Sequence, residues 1–386
     1  MRAVRCTADT PRHGESMGEG DRSDHRAGSW RLRLATLPVL APIAGLTGYL
    51  ASLAGVPLAW LLGALFATAL VSIAVRPVSV PKPAYKAGQV MVGVAVGLTV
   101  SAEILSHLGP HALLAPALAV ISIATGRTLY PILWRFGGVS RSTAYFSLVP
   151  AGIAEMADQA GKRGADVGAV ASFHAFRVGL LVIILPVLMV LVFGSGAQAP
   201  AEAPETWAAA GWTPSLAVAL AIGVLAALVS SRLGLPGAYV LGPMATVAVL
   251  SGAGLIDART PPTLLAVAQV LLGLGIGVRF TRETLQRLPQ ALSVGLPLLL
   301  LHAAVMVGLG VVLALLFRLD PAVMALGAST GGIAEMVLTA KAVGADAAIV
   351  TFYQVVRGIT GNLTAGLLFD RTRAGRELAN AGEHHG

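Results

Sequence analysis

Two glutamates and two arginines offer the most chemistry in this chain, and they come as a repeated set. Glu155 lies in Gly152-Ile153-Ala154-Glu155-Met156, and Arg177 follows 22 residues later. Glu335 lies in Gly332-Ile333-Ala334-Glu335-Met336, and Arg357 follows at the same spacing. Gly164-Ala165-Asp166 returns as Gly344-Ala345-Asp346, again at an offset of 180. Between residues 150–177 and 330–357, 11 of 28 positions are identical. Both copies sit in apolar stretches long enough to cross a bilayer. There a charge is costly and faces protein or a water-filled cavity. Such a carboxylate and guanidinium can bind an anion, carry a coupling proton, or neutralise each other as a structural ion pair.

Depth argues for the inward reading. If each last helix of a copy starts at Gly-Ala-Asp, its arginine lies eleven residues in, about halfway through a hydrocarbon core of ~30 Å at ~1.5 Å per residue. That is too deep to snorkel, so Arg177 and Arg357 are expected to point towards an anionic solute or towards Glu155 and Glu335. The glutamates follow helix breaks at Gly152 and at Gly331-Gly332, where water or a cation could reach them. Asp166 and Asp346 stand where a carboxylate at a helix N-terminus is favoured by the dipole. Asp166 also shares a face with Arg177, three turns on, and is a candidate for lining the same path. His174 and Gln354 occupy matched positions on that face, with a proton relay and a packing role both open. Gln89 and Gln269, also matched, are further binding candidates. Gly93-x-x-x-Gly97 and Gly273-x-x-x-Gly277 read as small-residue faces for close helix contact. His107-x-x-x-His111 has the spacing of a metal pair, but Pro110 interrupts the helix that would align it and no third ligand accompanies it. No metal and no cofactor is implied.

These residues need elements that can hold them in a membrane. The chain has 386 residues, 55% of them hydrophobic and 12% charged, with a mean hydropathy of +0.77. That composition, with successive apolar runs of about 20 residues, is that of a polytopic membrane protein. The net charge of +8 comes mostly from arginines in the N-terminal tail and short loops. Arginines so placed orient a membrane protein and attract phospholipid; they make no nucleic-acid face. The single cysteine, Cys6, excludes an internal disulfide and a multi-thiolate metal site.

Residues 1–33 carry seven arginines without an apolar run and read as a disordered cytoplasmic tail. Membrane repeat 1 covers 34–194, with segments near 34–54, 56–75, 87–107, 110–135, 141–160 and 166–194. A linker over 195–212, rich in Ala, Pro and Glu, is expected to be periplasmic. Membrane repeat 2 covers 213–370, with segments near 213–232, 235–255, 264–283, 290–318, 320–340 and 346–370; residues 371–386 form a second cytoplasmic tail. The duplication extends to Gly55-Val56-Pro57-Leu58-Ala59-Trp60-Leu61-Leu62-Gly63, which matches Gly234 to Gly242. Six full crossings per half would place Lys162-Arg163 and the cluster Arg279, Arg282 and Arg287 outside. Letting the fifth segment of each half dip in and return brings them inside with the other basic loops, although Arg259, Arg318 and Lys341 stay outside. The predicted fold is therefore all-α, two inverted repeats of about five transmembrane helices plus one re-entrant or broken helix each.

At the paired Gly-Ile-Ala-Glu-Met, Gly-Ala-Asp and Arg elements, the chain resembles the membrane AbrB-duplication family, from about residue 34 to 370. Members of that family carry the labels regulator of gene expression, ammonia monooxygenase, or uncharacterised membrane protein. The first motif here reads Pro150-Ala151-Gly152 where the family tends towards Pro-Gly-Gly; the second reads Thr330-Gly331-Gly332. A metal monooxygenase needs clustered histidine or carboxylate ligands. The eight histidines here are scattered, two of them in the C-terminal tail. Nothing between Leu34 and Phe369 could form a small polar DNA-binding hairpin.

The expectation is a bacterial inner-membrane, multi-pass secondary transporter with both termini cytoplasmic, and not an enzyme. Its partners would be the lipid bilayer and a small, anionic solute, with proton or sodium coupling and no nucleic acid; homo-oligomerisation is left open. The alternative is a membrane-embedded sensor that affects gene expression indirectly.

Overall fold

The structure, a computed structural model, describes residues 40–75, 78–98, 109–194, 212–235 and 237–372. The basic tail 1–33, the linker 195–211 and the end of the C-terminal tail lie outside the described residues.

Every regular element among the described residues is a helix. Repeat 1 provides α1 Leu40–Leu53, α2 Ala59–Ala74, α3 Lys82–Gly97, α4 His111–Phe136, α5 Arg141–Leu148, α6 Ile153–Gly161 and α7 Val167–Phe193. Repeat 2 provides α8 Pro214–Arg232, α9 Ala238–Gly252, α10 Pro262–Gly277, α11 Arg282–Arg287, α12 Pro289–Phe317, α13 Pro321–Ala328, α14 Ile333–Ala342 and α15 Ala347–Asp370. Among the described residues, five stretches are long and apolar enough to cross a membrane: α4, α7, α8, α12 and the run Pro262–Arg287 that contains α10. The surface agrees with that reading. Leu113, Leu191, Val249, Leu315 and Leu363 are more than two-thirds exposed, while Arg177, His174, Glu335 and Arg357 are buried. Exposed leucines around buried charges suit lipid outside and protein inside.

The predicted fifth segment of each half is a broken helix. At about 1.5 Å per residue, the 8 residues of α5 and the 9 of α6 reach ~12 and ~14 Å, so neither spans a bilayer alone. Asp166 N, just after α6, donates to Thr143 Oγ1 in the first turn of α5 at 2.9 Å. The two ends of the segment therefore meet, and α5–α6 folds back as a hairpin with residues 149–152 at its tip. In the second copy Gln354 Nε2 donates to Leu326 O and Arg357 Nη1 to Ser329 O. Helix α15 therefore runs alongside α13 in the same direction, as α7 runs alongside α5.

The helices divide between two bundles. In the first, α2 packs on α10, α3 on α9 and α10, and α8 on α9. In the second, α4 and α12 surround the hairpins together with α7 and α15. The first bundle joins the repeats by a swapped contact. A Cβ on Gly93 or Gly97 of α3 would overlap the carbonyls of Val240 and Met244 of α9. Gly273 and Gly277 of α10 stand in the same relation to Leu61 and Leu65 of α2. Val240 and Met244 match Leu61 and Leu65 at an offset of 179, the offset of the Gly55 and Gly234 blocks. The small-residue faces are thus packing faces, and each serves the other repeat.

Candidate functional site

The hairpin tips meet the first bundle around a cavity of about 190 Å³. From the second bundle it is lined by Gly152, Glu155, Arg177, Thr330, Gly331, Gly332, Glu335, Gln354, Arg357 and Asn362; from the first by Tyr85, Gln89, Gly237 and Arg279. Helix breaks expose polar backbone there, and two helix N-termini, those of α6 and α14, open onto the space. Uncapped N–H groups and the helix dipole make such ends attractive to anions.

Each glutamate sits in the first turn of its half-helix. Its carboxylate folds back over the N-cap glycine, Gly152 or Gly332, into the volume a Cβ there would occupy. A Cβ at either position would push the carboxylate out of this place, so the glycines keep the glutamates over the helix ends. The two copies then diverge. Glu335 is 1% exposed, and Tyr85 Oη donates to its Oε1 at 2.9 Å, with Arg279 lying 5.4 Å from the Tyr85 ring centroid. Glu155 is exposed at the cavity, and Leu265 stands where repeat 2 matches Tyr85.

The arginines do not pair with the glutamates. The ion pairs Lys162–Asp158, Arg163–Asp370 and Arg287–Glu283 all lie away from the cavity. Each arginine is instead held by the residue one turn before it. Gln354 Oε1 accepts from Arg357 Nη2 at 2.6 Å while Gln354 Nε2 donates to Leu326 O at 2.8 Å. His174 repeats this with a ring: Nδ1 meets Arg177 Nη2 at 2.7 Å and Nε2 meets Phe146 O at 2.8 Å. A guanidinium can only donate, so Nδ1 is the acceptor and the proton is on Nε2. His174 is thus the steric and hydrogen-bonding counterpart of Gln354, and this geometry uses the neutral ring.

Beyond that bond the arginines differ. Arg357 also donates from Nη1 to Ser329 O and from Nη2 to Gly331 O, satisfying carbonyls that the break in the helix leaves open. Arg177 has no such bonds: its Nε and Nη1 are buried without a partner, as are Arg357 Nε and Thr330 Oγ1. Arg177 is 3% exposed. A buried, unpaired donor costs about 1–3 kcal/mol, more when charged. Three of these four atoms can only donate, so the cavity asks for an acceptor.

Of the sequence candidates, Glu155, Arg177, Glu335, Arg357, Gly152, Gly331, Gly332, Gln354 and Gln89 come together at the cavity. Four do not. Asp166 accepts from Ala169 N, and Asp346 from Ala348 N and Ile349 N, so both are N-caps. The path that Asp166 was expected to share with Arg177 is not formed, because Asp166 lies at the exposed foot of the hairpin. His174 stands behind Arg177 as its support, and Gln269 lies outside the cavity lining. His111 bonds Tyr353 Oη through Nδ1 at 2.9 Å, while His107 lies outside the described residues. Tyr85, Arg279, Thr330 and Asn362 were missed. Tyr85 precedes Gln89 by one turn, and Gln354, Gly358 and Asn362 recur every four residues on one face, so both were signalled by periodicity. Asn362 Oδ1 accepts from Gly152 N at 3.2 Å and so ties the first hairpin tip to α15.

Fold and site together define an all-helical membrane protein with paired helix breaks at a buried, arginine-lined cavity. The chain belongs to the family described as transition state regulatory protein AbrB, whose model matches residues 60–371. It is 26% identical over 333 residues to "Uncharacterized protein YhjN" of Bacillus subtilis (strain 168), covering 81% of this chain and 86% of that protein. It is also 26% identical over 309 residues to "Putative regulator AbrB" of Escherichia coli (strain K12), covering 78% of this chain and 86% of that one. No solved structure matches the chain.

Proposed function

We propose that the protein is a secondary transporter of a small anionic solute, working by alternating access, and that it is not an enzyme. The observation that carries this reading is the set of buried, unpaired N–H groups on Arg177 and Arg357, two arginines that line the cavity. An anion entering between the hairpin tips supplies their acceptors and meets the N-terminal ends of α6 and α14. Half-helix ends meeting at mid-depth are a recurrent way to hold a solute where two repeats meet. The swapped contacts between α2–α10 and α3–α9 suit two repeats related by a pseudo-two-fold axis. The distribution of basic loops favours inverted repeats in a bacterial inner membrane, with both termini cytoplasmic. Movement of the hairpin bundle against the first bundle would open the cavity to either side in turn. Glu155 and Glu335, at the breaks, are the candidates to carry a coupling proton or sodium ion.

Purified protein in liposomes tests the reading. Saturable flux of an organic anion that depends on Arg177 is the expected result; binding without flux would replace the transporter with the second reading. That reading, a membrane-embedded sensor acting on gene expression through a partner, draws on the regulator name of the Escherichia coli relative.

A further inference from the structure

The two arginines are equivalent in sequence but not in the demand they leave open, and the cavity's charge limits what can meet it. Arg357 is engaged with Gln354 Oε1, Ser329 O and Gly331 O. Arg177 is engaged with His174 alone, through one Nη2 hydrogen, so one edge, Nη2 with either Nε or Nη1, stays unused. Its Nε and Nη1 are buried without a partner, on an arginine that lines the cavity. One guanidinium edge accommodates one carboxylate in a two-bond fork. The cavity lining contains three cations, Arg177, Arg279 and Arg357, and two carboxylates, Glu155 and Glu335. With all five ionised the lining has a formal charge of +1, which one univalent anion brings to zero. In that ionisation state a divalent anion overshoots, and a zwitterion leaves the excess unmet. Between the charges, Ile153, Val178, Val240 and Ile333 provide apolar walls. The volume of about 190 Å³ is a little above the ~150 Å³ of an apolar cavity that takes benzene, which suits a ligand of roughly five to ten non-hydrogen atoms.

From this we infer that the site selects a small univalent carboxylate with a short, largely apolar body, and that Arg177 is its ligand while Arg357 braces the second hairpin tip. Thr330 Oγ1 and Arg357 Nε complete the acceptor's surroundings. The inference rests on the anion reading above and narrows it to a charge, a size and one arginine.

The test uses full-length protein in detergent at neutral pH, with thermal shift and calorimetric titration of propionate, lactate, succinate, alanine and inorganic phosphate. Propionate or lactate is expected to bind at least tenfold more tightly than succinate, phosphate or alanine. Arg177→Gln is expected to weaken that binding at least tenfold, and Arg177→Lys to restore part of it, because a point charge cannot reproduce the fork. The order of affinities in the unaltered protein is decisive even if a variant fails to fold. Tightest binding by succinate or phosphate, lost in Arg177→Gln, would overturn the univalent class and leave the anion reading standing. Tightest binding by alanine would overturn the class as well. Univalent binding that survives Arg177→Gln would overturn the assignment of the ligand arginine. Failure of all the anions to bind would remove both this inference and the anion reading.

Discussion

At the scale of single residues, a bond given to one arginine and withheld from the other separates their roles. Arg357 satisfies two carbonyls at a helix break and one amide oxygen, all buried. Hydrogen bonds from a charged donor are worth about 1.5–3 kcal/mol each, so Arg357→Gln should lower the thermal midpoint of the ligand-free protein by several degrees. Arg177→Gln removes a buried cation with unmet donors and should leave that midpoint unchanged or raise it. A melting experiment on the two variants, without ligand, separates brace from binder; equal losses would give both arginines the structural role. The histidine has its own test. Since His174 does what Gln354 does in the other repeat, His174→Gln should retain solute affinity, whereas His174→Leu should lower it about tenfold by freeing Arg177 to swing. Loss of affinity in His174→Gln would instead point to a proton relay through the ring.

At the scale of elements, the hairpins and the glycine faces govern one another. The hairpin tips can lie at membrane depth because protein surrounds their open backbone: Arg357 at one tip, Asn362 at the other. The glycine faces of α3 and α10 bring the first bundle close enough to form the opposite wall. Each glycine there faces a backbone carbonyl, which cannot move aside as a side chain can. Gly93→Val and Gly273→Val should therefore each destabilise the protein by at least the ~1–3 kcal/mol of an overpacked core. Their effects should be similar, because the contacts are the same in both repeats. Unfolding midpoints of the two variants measure this; one tolerant and one severe substitution would break the equivalence of the swapped contacts. Gly332→Ala acts differently, since its Cβ would displace the Glu335 carboxylate from its place over the helix end. That variant should keep its fold and lose coupling of transport to a cation gradient while still exchanging solute.

At the scale of the whole molecule, the site lies where the hairpin bundle meets a bundle of short apolar helices, and the membrane orientation decides which side each face sees. Cys6 is the only cysteine, so one substitution, Cys6→Ser, gives a background for labelling. Lys162→Cys, beyond α6, and Thr284→Cys, in α11, should react with a membrane-impermeant thiol reagent only after permeabilisation. Trp212→Cys, before α8, should react from outside in intact cells. External labelling at 284 would remove the inverted arrangement and favour parallel halves with twelve crossings.

Much of this was legible in the sequence, for reasons tied to what each signal measures. Span length and apolarity report how much chain must sit in lipid, so α4, α7, α8 and α12 could be read directly. The breaks at Gly152 and at Gly331-Gly332 could be read as well, because helix breakers at membrane depth are rare and costly. The burial of Arg177 and Arg357 agrees with their place eleven residues beyond the aspartate of Gly-Ala-Asp, well inside an apolar helix. What only the tertiary structure decided concerns partners brought from elsewhere in the chain. Tyr85 reaches Glu335 across 250 positions, and no local period encodes that meeting. The sequence also left each glutamate free to neutralise its arginine. Ångström-scale competition decided otherwise: a carboxylate in the first turn of a helix has its own N-terminus within reach, and Gln354, His174 and the tip carbonyls reach the guanidinium groups first. The two repeats carry the same motif, yet only one guanidinium keeps an open edge, because the carbonyls of Ser329 and Gly331 point at Arg357 and no tip carbonyl reaches Arg177.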